Sequence, residues 1–201
     1  ETHKTPRYGR VVRNGLKYLK GIQDAEGCFG PRTSNHFTYN HSIAGLAMAE
    51  AYGLTQSPLF KATAQNGINF VAQCQNPYLA WRYGVKPQDN DTSVTGWMVM
   101  ALKSAKAAGI EVDPKCFEWA LGFIEEMTDE ENGRTGYLQR GSLPVREGNK
   151  LEEFPSAESE SLTAVGILTR VFAGQNPEEN AAIKLGADLL VEKLPLWDES
   201  R

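Results

Sequence analysis

The sequence predicts an all-α protein in which amphipathic helices alternate with helices that are packed on all sides. Most segments repeat their apolar residues every three to four positions, which is the period of an α-helix. Glycine and proline stand at the breaks between these segments, where helices begin and end. Equivalent segments also recur at intervals of about 50 residues, which indicates an array of helical repeats.

Seven helices and no strand are predicted. The helices are expected over residues 11–23, 41–53, 57–75, 92–108, 113–127, 161–173 and 176–194. Three of them begin at a capping side chain that precedes proline at the first helical position. These starts are Ser57-Pro58, Asp113-Pro114 and Asn176-Pro177. Three others end at a glycine that follows the last periodic residue. These glycines are Gly53, Gly109 and Gly174.

The first, third, fifth and seventh helices form one class. Each contains a small residue followed, three and four positions later, by an aromatic or aliphatic pair. The members are Gly15 with Tyr18-Leu19, Gly67 with Phe70-Val71, Ala120 with Phe123-Ile124 and Gly186 with Leu189-Leu190. The first helix has apolar residues on one side and basic residues on the other, which predicts an outer layer.

The second, fourth and sixth helices form the other class and align on a shared glycine. These glycines are Gly45, Gly96 and Gly166. The second helix carries small residues on several faces, so we expect this class to be packed on all sides as an inner layer. Inner helices surrounded by outer helices form an α/α toroid. Seven helices amount to about three and a half pairs, which predicts a partial barrel.

Composition favours a single domain over residues 1–201. Hydrophobic residues make up 41% of the chain, and no proline-rich or serine-rich tract divides it. A net charge of −4 gives no electrostatic reason to expect a nucleic-acid partner. The apolar run Trp97–Leu102 is too short to span a bilayer. The chain begins with neither methionine nor an apolar signal sequence, so we expect a mature form or a domain of a larger protein.

Residues 138–160 are predicted to be an insertion that lengthens the third repeat. The segment contains Pro144, Gly148, Pro155 and a charged run at 150–153, as an exposed loop over the rim of the array would.

The turns that follow the outer helices resemble a known repeat. The segment from Gly15 through Gln23 and Gly27 to Phe29 resembles the QW repeat of triterpene cyclases, with Phe29 in place of the tryptophan. The second copy keeps Gln75 and ends in Trp81. The third copy has Thr128 for the glutamine, followed by Gly136-Tyr137. We expect each glutamine to bond backbone groups at helix ends, a structural role.

The stretch from Trp81 to Trp97 is similar to the prenyltransferase and squalene-oxidase repeat domains of many bacterial proteins. Through these motifs the chain resembles the squalene-cyclase and protein-prenyltransferase superfamily over residues 10–195. The resemblance implies the α/α toroid of the terpenoid cyclases, but a shared fold does not imply a shared activity.

The motif that carries the cyclase reaction is incomplete. Class II terpene cyclases protonate an alkene with the central acid of an Asp-x-Asp-Asp-Thr motif. Alignment on Thr92 places Asn90 at that position, between Asp89 and Asp91, and an amide cannot supply the proton. Asp91 or Thr92 is instead predicted to cap the fourth helix.

Two other chemistries of toroid proteins also lack their residues. The prenyltransferase zinc site needs Asp, Cys and His at inner-helix starts, whereas Cys116 opens an outer helix here. A thioester needs a glutamine near its cysteine, which the sequence around Cys28 does not provide. Cys28, Cys74 and Cys116 are therefore expected to be buried free thiols. No metal or cofactor is predicted.

One constellation remains at the rim where the inner helices begin. His41, Asp89, Asp91, Glu158 and Glu160 are predicted to lie there. Aromatic residues are expected in or near the loops that lead to it. They are Phe37, Tyr39, Trp81 and Tyr83, with Trp97 inside the mouth. Such a set suits a small-molecule, isoprenoid or glycan ligand, or a protein partner. Acidic residues at helix N-termini are also expected from capping alone.

Two functional hypotheses follow. The first is a binding module without cyclase activity, in which His41, Trp81, Tyr83 and Trp97 contact the ligand. The alternative is an enzyme that acts on an isoprenoid or a polysaccharide through Asp89, Asp91 and Glu160.

Overall fold

A computed structural model describes residues 2–34, 36–144, 150–153, 155, 158–192 and 194. This part of the chain contains seven helices of twelve residues or more and one single-turn helix. They are α1 (Gly9–Ile22), α2 (Phe37–Thr55), α3 (Pro58–Cys74), α4 (Thr92–Ala107), α5 (Lys115–Met127), α6 (Lys150–Glu153), α7 (Ser161–Phe172) and α8 (Ala181–Glu192). The described residues form no strand, so the all-helical prediction is confirmed. None of these helices has the length and apolarity that a membrane span requires.

The bounds of α2 differ from the prediction at both ends. This helix begins at Phe37, so Phe37 and Tyr39 lie in its first turn rather than in a preceding loop. It also continues through Gly53 to Thr55, and the C-cap residue Gln56 has a left-handed φ of 49° and donates its N–H to the Tyr52 carbonyl. Gly53 serves close packing instead, because a Cβ there would lie 2.9 Å from the Cβ of Ala108.

The start of α8 was also predicted wrongly. The Asn176 side chain accepts a hydrogen bond from the Glu178 N–H at 3.1 Å, which makes a local turn. Asn180 acts as the cap, since its side chain accepts from the Ile183 N–H at 3.0 Å. The helix therefore begins at Ala181.

The predicted insertion at 138–160 is only partly described. Residues 145–149, 154, 156 and 157, which include Gly148, lie outside the described residues. The charged run Lys150–Glu153 forms the single turn α6, which was not predicted.

The chain divides into two compact units, Glu1–Ala120 and Leu121–Arg201. In the first unit, α2 packs mainly against α3 and α4. In the second, α7 packs against α8. The core of the first unit is formed by fully buried side chains of α2, α3 and α4. They include Met48, Ile68, Phe70, Val71, Val94, Met98 and Leu102.

Helices α2 and α4 run parallel. At their first turns the Tyr39 hydroxyl donates a hydrogen bond to Ser93 Oγ at 3.1 Å. At their last turns Gly53 approaches Ala108. The intervening α3 runs in the opposite direction, because it begins shortly after α2 ends and its Phe70, in the C-terminal half of α3, contacts His41 near the start of α2. The N-termini of α2 and α4 therefore meet at one end of the first unit.

Candidate functional site

The turn after α1 joins α1 to α3. The Gln23 amide donates hydrogen bonds to the Gly27 carbonyl at 3.1 Å and to the Thr63 carbonyl of α3 at 3.0 Å. The buried Phe29 ring lies against Gly67, where an added Cβ would come within 2.6 Å of it. The turn therefore fastens α1 to α3.

The turn after α3 repeats this arrangement. The Gln75 amide donates to the Leu79 carbonyl at 2.9 Å and to the Cys116 carbonyl of α5 at 3.2 Å. Trp81 is fully buried, and its indole N–H donates to the Val71 carbonyl at 2.8 Å. The predicted structural role of both glutamines, bonding to backbone groups, is confirmed.

The turn after α5 has the same backbone plan in a different register. Thr128 and Thr135 form an isolated bridge, as Gln23 and Phe29 do. Gly133 has a φ of +76° and lies against the backbone of α8 at Gly186. Gly133 and Thr135, rather than the predicted Gly136-Tyr137, are thus the counterparts of Gly27 and Phe29. The register shifts because this turn has one extra residue.

The three turns share one further contact. In each, the backbone N–H of the residue that ends the turn donates to a side chain of the next helix of twelve residues or more. The pairs are Phe29 with His41 Nδ1 at 3.1 Å, Trp81 with Thr95 Oγ1 at 3.4 Å, and Thr135 with Thr163 Oγ1 at 3.3 Å. A buried N–H is satisfied in each case.

His41 is fully buried, and both of its ring nitrogens are engaged. Because Nδ1 accepts from Phe29, Nε2 carries the proton and donates to the Gly67 carbonyl at 2.9 Å. Burial lowers the pKa of His41 to about 4. The ring also stacks on Phe29 and meets the edge of Phe70. This geometry favours packing over ligand binding for His41.

The start of α4 holds the residues that align with the cyclase motif. Asp91 is buried and accepts from the Val94 N–H at 2.8 Å, so the predicted cap is confirmed. Asn90 Oδ1 accepts from the Asn76 amide at 2.9 Å and from the Ala80 N–H at 3.0 Å. Both residues therefore order this loop.

An arginine covers the same loop. Arg82 donates to Asp89 at 2.7 Å and lies 3.7 Å from Asp91. Asp89 is exposed, and the Arg82 guanidinium also lies over the Tyr83 ring at 5.5 Å. Tyr83 in turn contacts Tyr39 at 5.9 Å between ring centres. The structure thus brings Asp89, Asp91 and Tyr83 together at the start of α4.

Below this loop, α2 and α4 present a partly exposed apolar surface. Tyr39 bonds Ser93, and one helical turn further along lie Ile43 and Trp97. The following turn carries Leu46 and Met100. Ile43 is 45% exposed, and the other apolar members are half-buried. We call this surface the α2–α4 face, defined by Tyr39, Ile43, Leu46, Ser93, Trp97 and Met100.

Glu160 belongs to the second unit and is held by an ion pair. It lies buried at the start of α7, where Arg134 Nε and Nη2 donate to its two oxygens at 2.7–3.2 Å. The Thr163 hydroxyl donates to it as well, at 2.9 Å. The bond to Glu160 raises the pKa of Arg134. Glu158, by contrast, is exposed.

The three cysteines are buried free thiols, as predicted. Burial raises the pKa values of Cys74 and Cys116 to about 12, which keeps both thiols protonated. Among the described residues, no three His, Cys, Asp or Glu side chains lie close enough together to hold a metal ion.

Comparisons of the chain with protein-family models, with curated proteins and with solved structures find no match.

Proposed function

We propose that this chain is a binding module of the squalene-cyclase-like α/α-toroid type, without cyclase activity, and that it binds its ligand on the α2–α4 face. The observation that carries the proposal is the half-exposed apolar stripe of Ile43, Trp97 and Met100 beside a polar loop. Large apolar side chains grouped on the surface mark binding sites more often than scattered ones do.

The toroid belongs to the proposal. It is supported by the parallel pair α2 and α4, by the opposite direction of α3, and by the equivalent turns that fasten successive helices. These are the relations that adjacent members of an inner and an outer layer have in such an array.

Binding is favoured over catalysis by the bonds of the candidate catalytic groups. Asn90 stands at the acid position, and its side-chain oxygen is used within the loop. Glu160 is neutralised by Arg134. Asp91 caps α4. Each of these groups has a structural partner within the chain.

The chemistry of the face supports an elongated apolar ligand with one polar end. Ile43, Trp97 and Met100 would contact the apolar chain, while Arg82 and Tyr83 stand where a polar end group would lie. An isoprenoid alcohol has this character. A glycan would instead need several polar contacts along the face.

The test is calorimetric titration of the chain with farnesol and geranylgeraniol. We expect saturable binding that Trp97→Ala weakens at least about tenfold, since a lost aromatic contact is worth about 1.4 kcal/mol or more. Trp119→Ala is the matched control, because Trp119 is half-buried on α5 against Tyr78 and is not one of the residues of the face. Mass spectrometry of the recovered alcohols reports any turnover.

Three results would contradict the proposal. The first is that neither alcohol binds. The second is that the Trp97→Ala and Trp119→Ala variants bind the alcohol equally well, and the third is that a product accumulates. The last result would favour the enzyme hypothesis instead.

A further inference from the structure

Helix α1 carries the same Asn-Gly pair as α3, followed by an aromatic residue at the same spacing, at the positions where α3 receives the preceding turn. Asn14-Gly15 stands 52 residues before Asn66-Gly67, and Tyr18 stands 52 residues before Phe70. Thr5-Pro6 likewise precedes Ser57-Pro58 by 52. The two helices are therefore equivalent members of the repeat.

In α3 these positions form a filled docking site. The Thr63 carbonyl accepts from Gln23 at 3.0 Å, and the Asn66 carbonyl lies directly against Gly27. Gly67 lies under the Phe29 ring. Glycine is required in the turn because Gly27 has a φ of +96° and an added Cβ would overlap the Asn66 carbonyl.

The same site is filled in two other helices. In α5, the carbonyl of Cys116, four residues before Ala120, accepts from Gln75 at 3.2 Å. In α8, Gly186 lies against Gly133 and Thr163. Residues at these positions are buried: Cys116 is 3% exposed and Ala120 is fully buried.

In α1 the equivalent positions are open. Val11 is 67% exposed where Thr63 is 5% exposed, and Tyr18 is 66% exposed where Phe70 is fully buried. A Cβ added to Gly15 would meet nothing within 4 Å. An open groove of about 450 Å³ adjoins this site and is lined by Asn14, Lys17, Tyr18, Gly21 and Ile22.

We infer that this surface of α1, formed by Val11, Asn14, Gly15 and Tyr18, is a docking site for the turn of a further helix pair of the same array. The occupant has a stated chemistry. It carries a side-chain amide that donates to the Val11 carbonyl, a glycine that faces the Asn14 carbonyl, and an aromatic ring that covers Gly15. These three groups are those that Gln23, Gly27 and Phe29 supply to α3.

The inference can be tested with a tandem duplication, in which residues 1–57 are followed directly by residues 6–201. The second Pro6 then takes the place of Pro58, so the second copy of α1 follows the first copy of α2 as α3 normally does. The first copy of the turn at residues 23–29 can then contact the second copy of α1 as it normally contacts α3. Val11→Cys is introduced into either the first or the second copy. Native Cys28, Cys74 and Cys116 are buried, so maleimide labelling reports on the new thiol.

We expect maleimide to label the thiol in the second copy at least about tenfold more slowly than the thiol in the first copy, because the docked turn must move away before the reagent can reach it. Phe29→Ala in the first copy should remove this protection. The matched control is Phe29→Ala in the second copy, whose ring covers Gly67 instead.

A second measurement does not depend on the duplicated chain. A synthetic peptide of residues 20–32 is added to the unduplicated Val11→Cys chain, and it should slow labelling where the Phe29→Ala peptide does not. Equal labelling of both copies together with no protection by the peptide would overturn the inference. So would protection of the unduplicated chain that increases with its own concentration, because a second copy would then be the occupant.

Discussion

Protonation of His41 is expected to destabilise the first unit as the pH falls from about 6.5 to about 4. Nδ1 must remain unprotonated to accept the Phe29 N–H at 3.1 Å, and Nε2 donates to the Gly67 carbonyl. Burial lowers the pKa of His41 from 6.5 to about 4 in the folded chain. The fold therefore selects the neutral imidazole.

The direction and size follow from proton linkage. Above pH 6.5 the imidazole is neutral in both states, so its contribution to stability is fully present. Between pH 6.5 and 4 the unfolded chain binds a proton that the folded chain does not, and stability falls. Below pH 4 both states are protonated and the loss is complete. Each pH unit is worth about 1.4 kcal/mol, so the total loss is about 3 kcal/mol.

Urea unfolding at pH 7, 6, 5 and 4.5, followed by circular dichroism, measures this loss. In His41→Gln a side-chain amide, which does not titrate, replaces the imidazole. The carboxylates are the same in both proteins, so the difference between their unfolding free energies isolates the effect of the imidazole. We expect that difference in unfolding free energy to shrink by about 2.4 kcal/mol between pH 7 and pH 4.5, because most of the total loss falls within this range. His36→Gln, at an exposed position, should keep the original profile. Parallel profiles for His41→Gln and the original chain would refute the reasoning.

Three substitutions test the packing of the repeat by chemical denaturation. Gly67→Ala should lower the unfolding free energy by about 1–3 kcal/mol, because its Cβ would press on a buried ring. Gly15→Ala, at the equivalent open position, should raise it by about 0.5–1 kcal/mol, and a loss of stability at both positions would contradict the distinction. Glu160→Gln should cost about 1–3 kcal/mol by weakening the bonds from Arg134, whereas an unchanged midpoint would show that the pair contributes nothing.

Much of the helical pattern could be predicted, since it depends on local chemistry. Apolar periodicity and the Ser57-Pro58 start locate α3, although the Ser57 side chain does not make the predicted capping hydrogen bond. Helix α4 begins after Asp91 as its capping chemistry indicates. Errors arose where one residue type serves two purposes. Gly53 was interpreted as ending α2, but it allows close approach to Ala108. Asn176 was interpreted as a cap, but it makes a turn ahead of Asn180.

The candidate site was less predictable because burial depends on tertiary packing. Trp81 and His41 were predicted to face a ligand, yet each uses its ring N–H on a backbone carbonyl within the core. Asp89 and Tyr83 do lie together at the start of α4, as the clustering of helix N-termini led us to expect. Arg82 contacts both residues but was not predicted to belong to the site. Its position directly after Trp81, in the loop that leads to α4, could have indicated this.

The turns and the α2–α4 face are subject to different physical demands. The residue that ends each turn varies from Phe29 to Trp81 to Thr135, but its backbone N–H is always bonded to the next helix. A buried N–H requires a partner, whereas many side chains can provide one. The turns can therefore change in sequence while they still hold the array together. Ile43 and Trp97 provide no partner for a buried N–H of a turn, so the turns do not explain why these two side chains are partly exposed. This difference favours the α2–α4 face as the surface that binds a ligand.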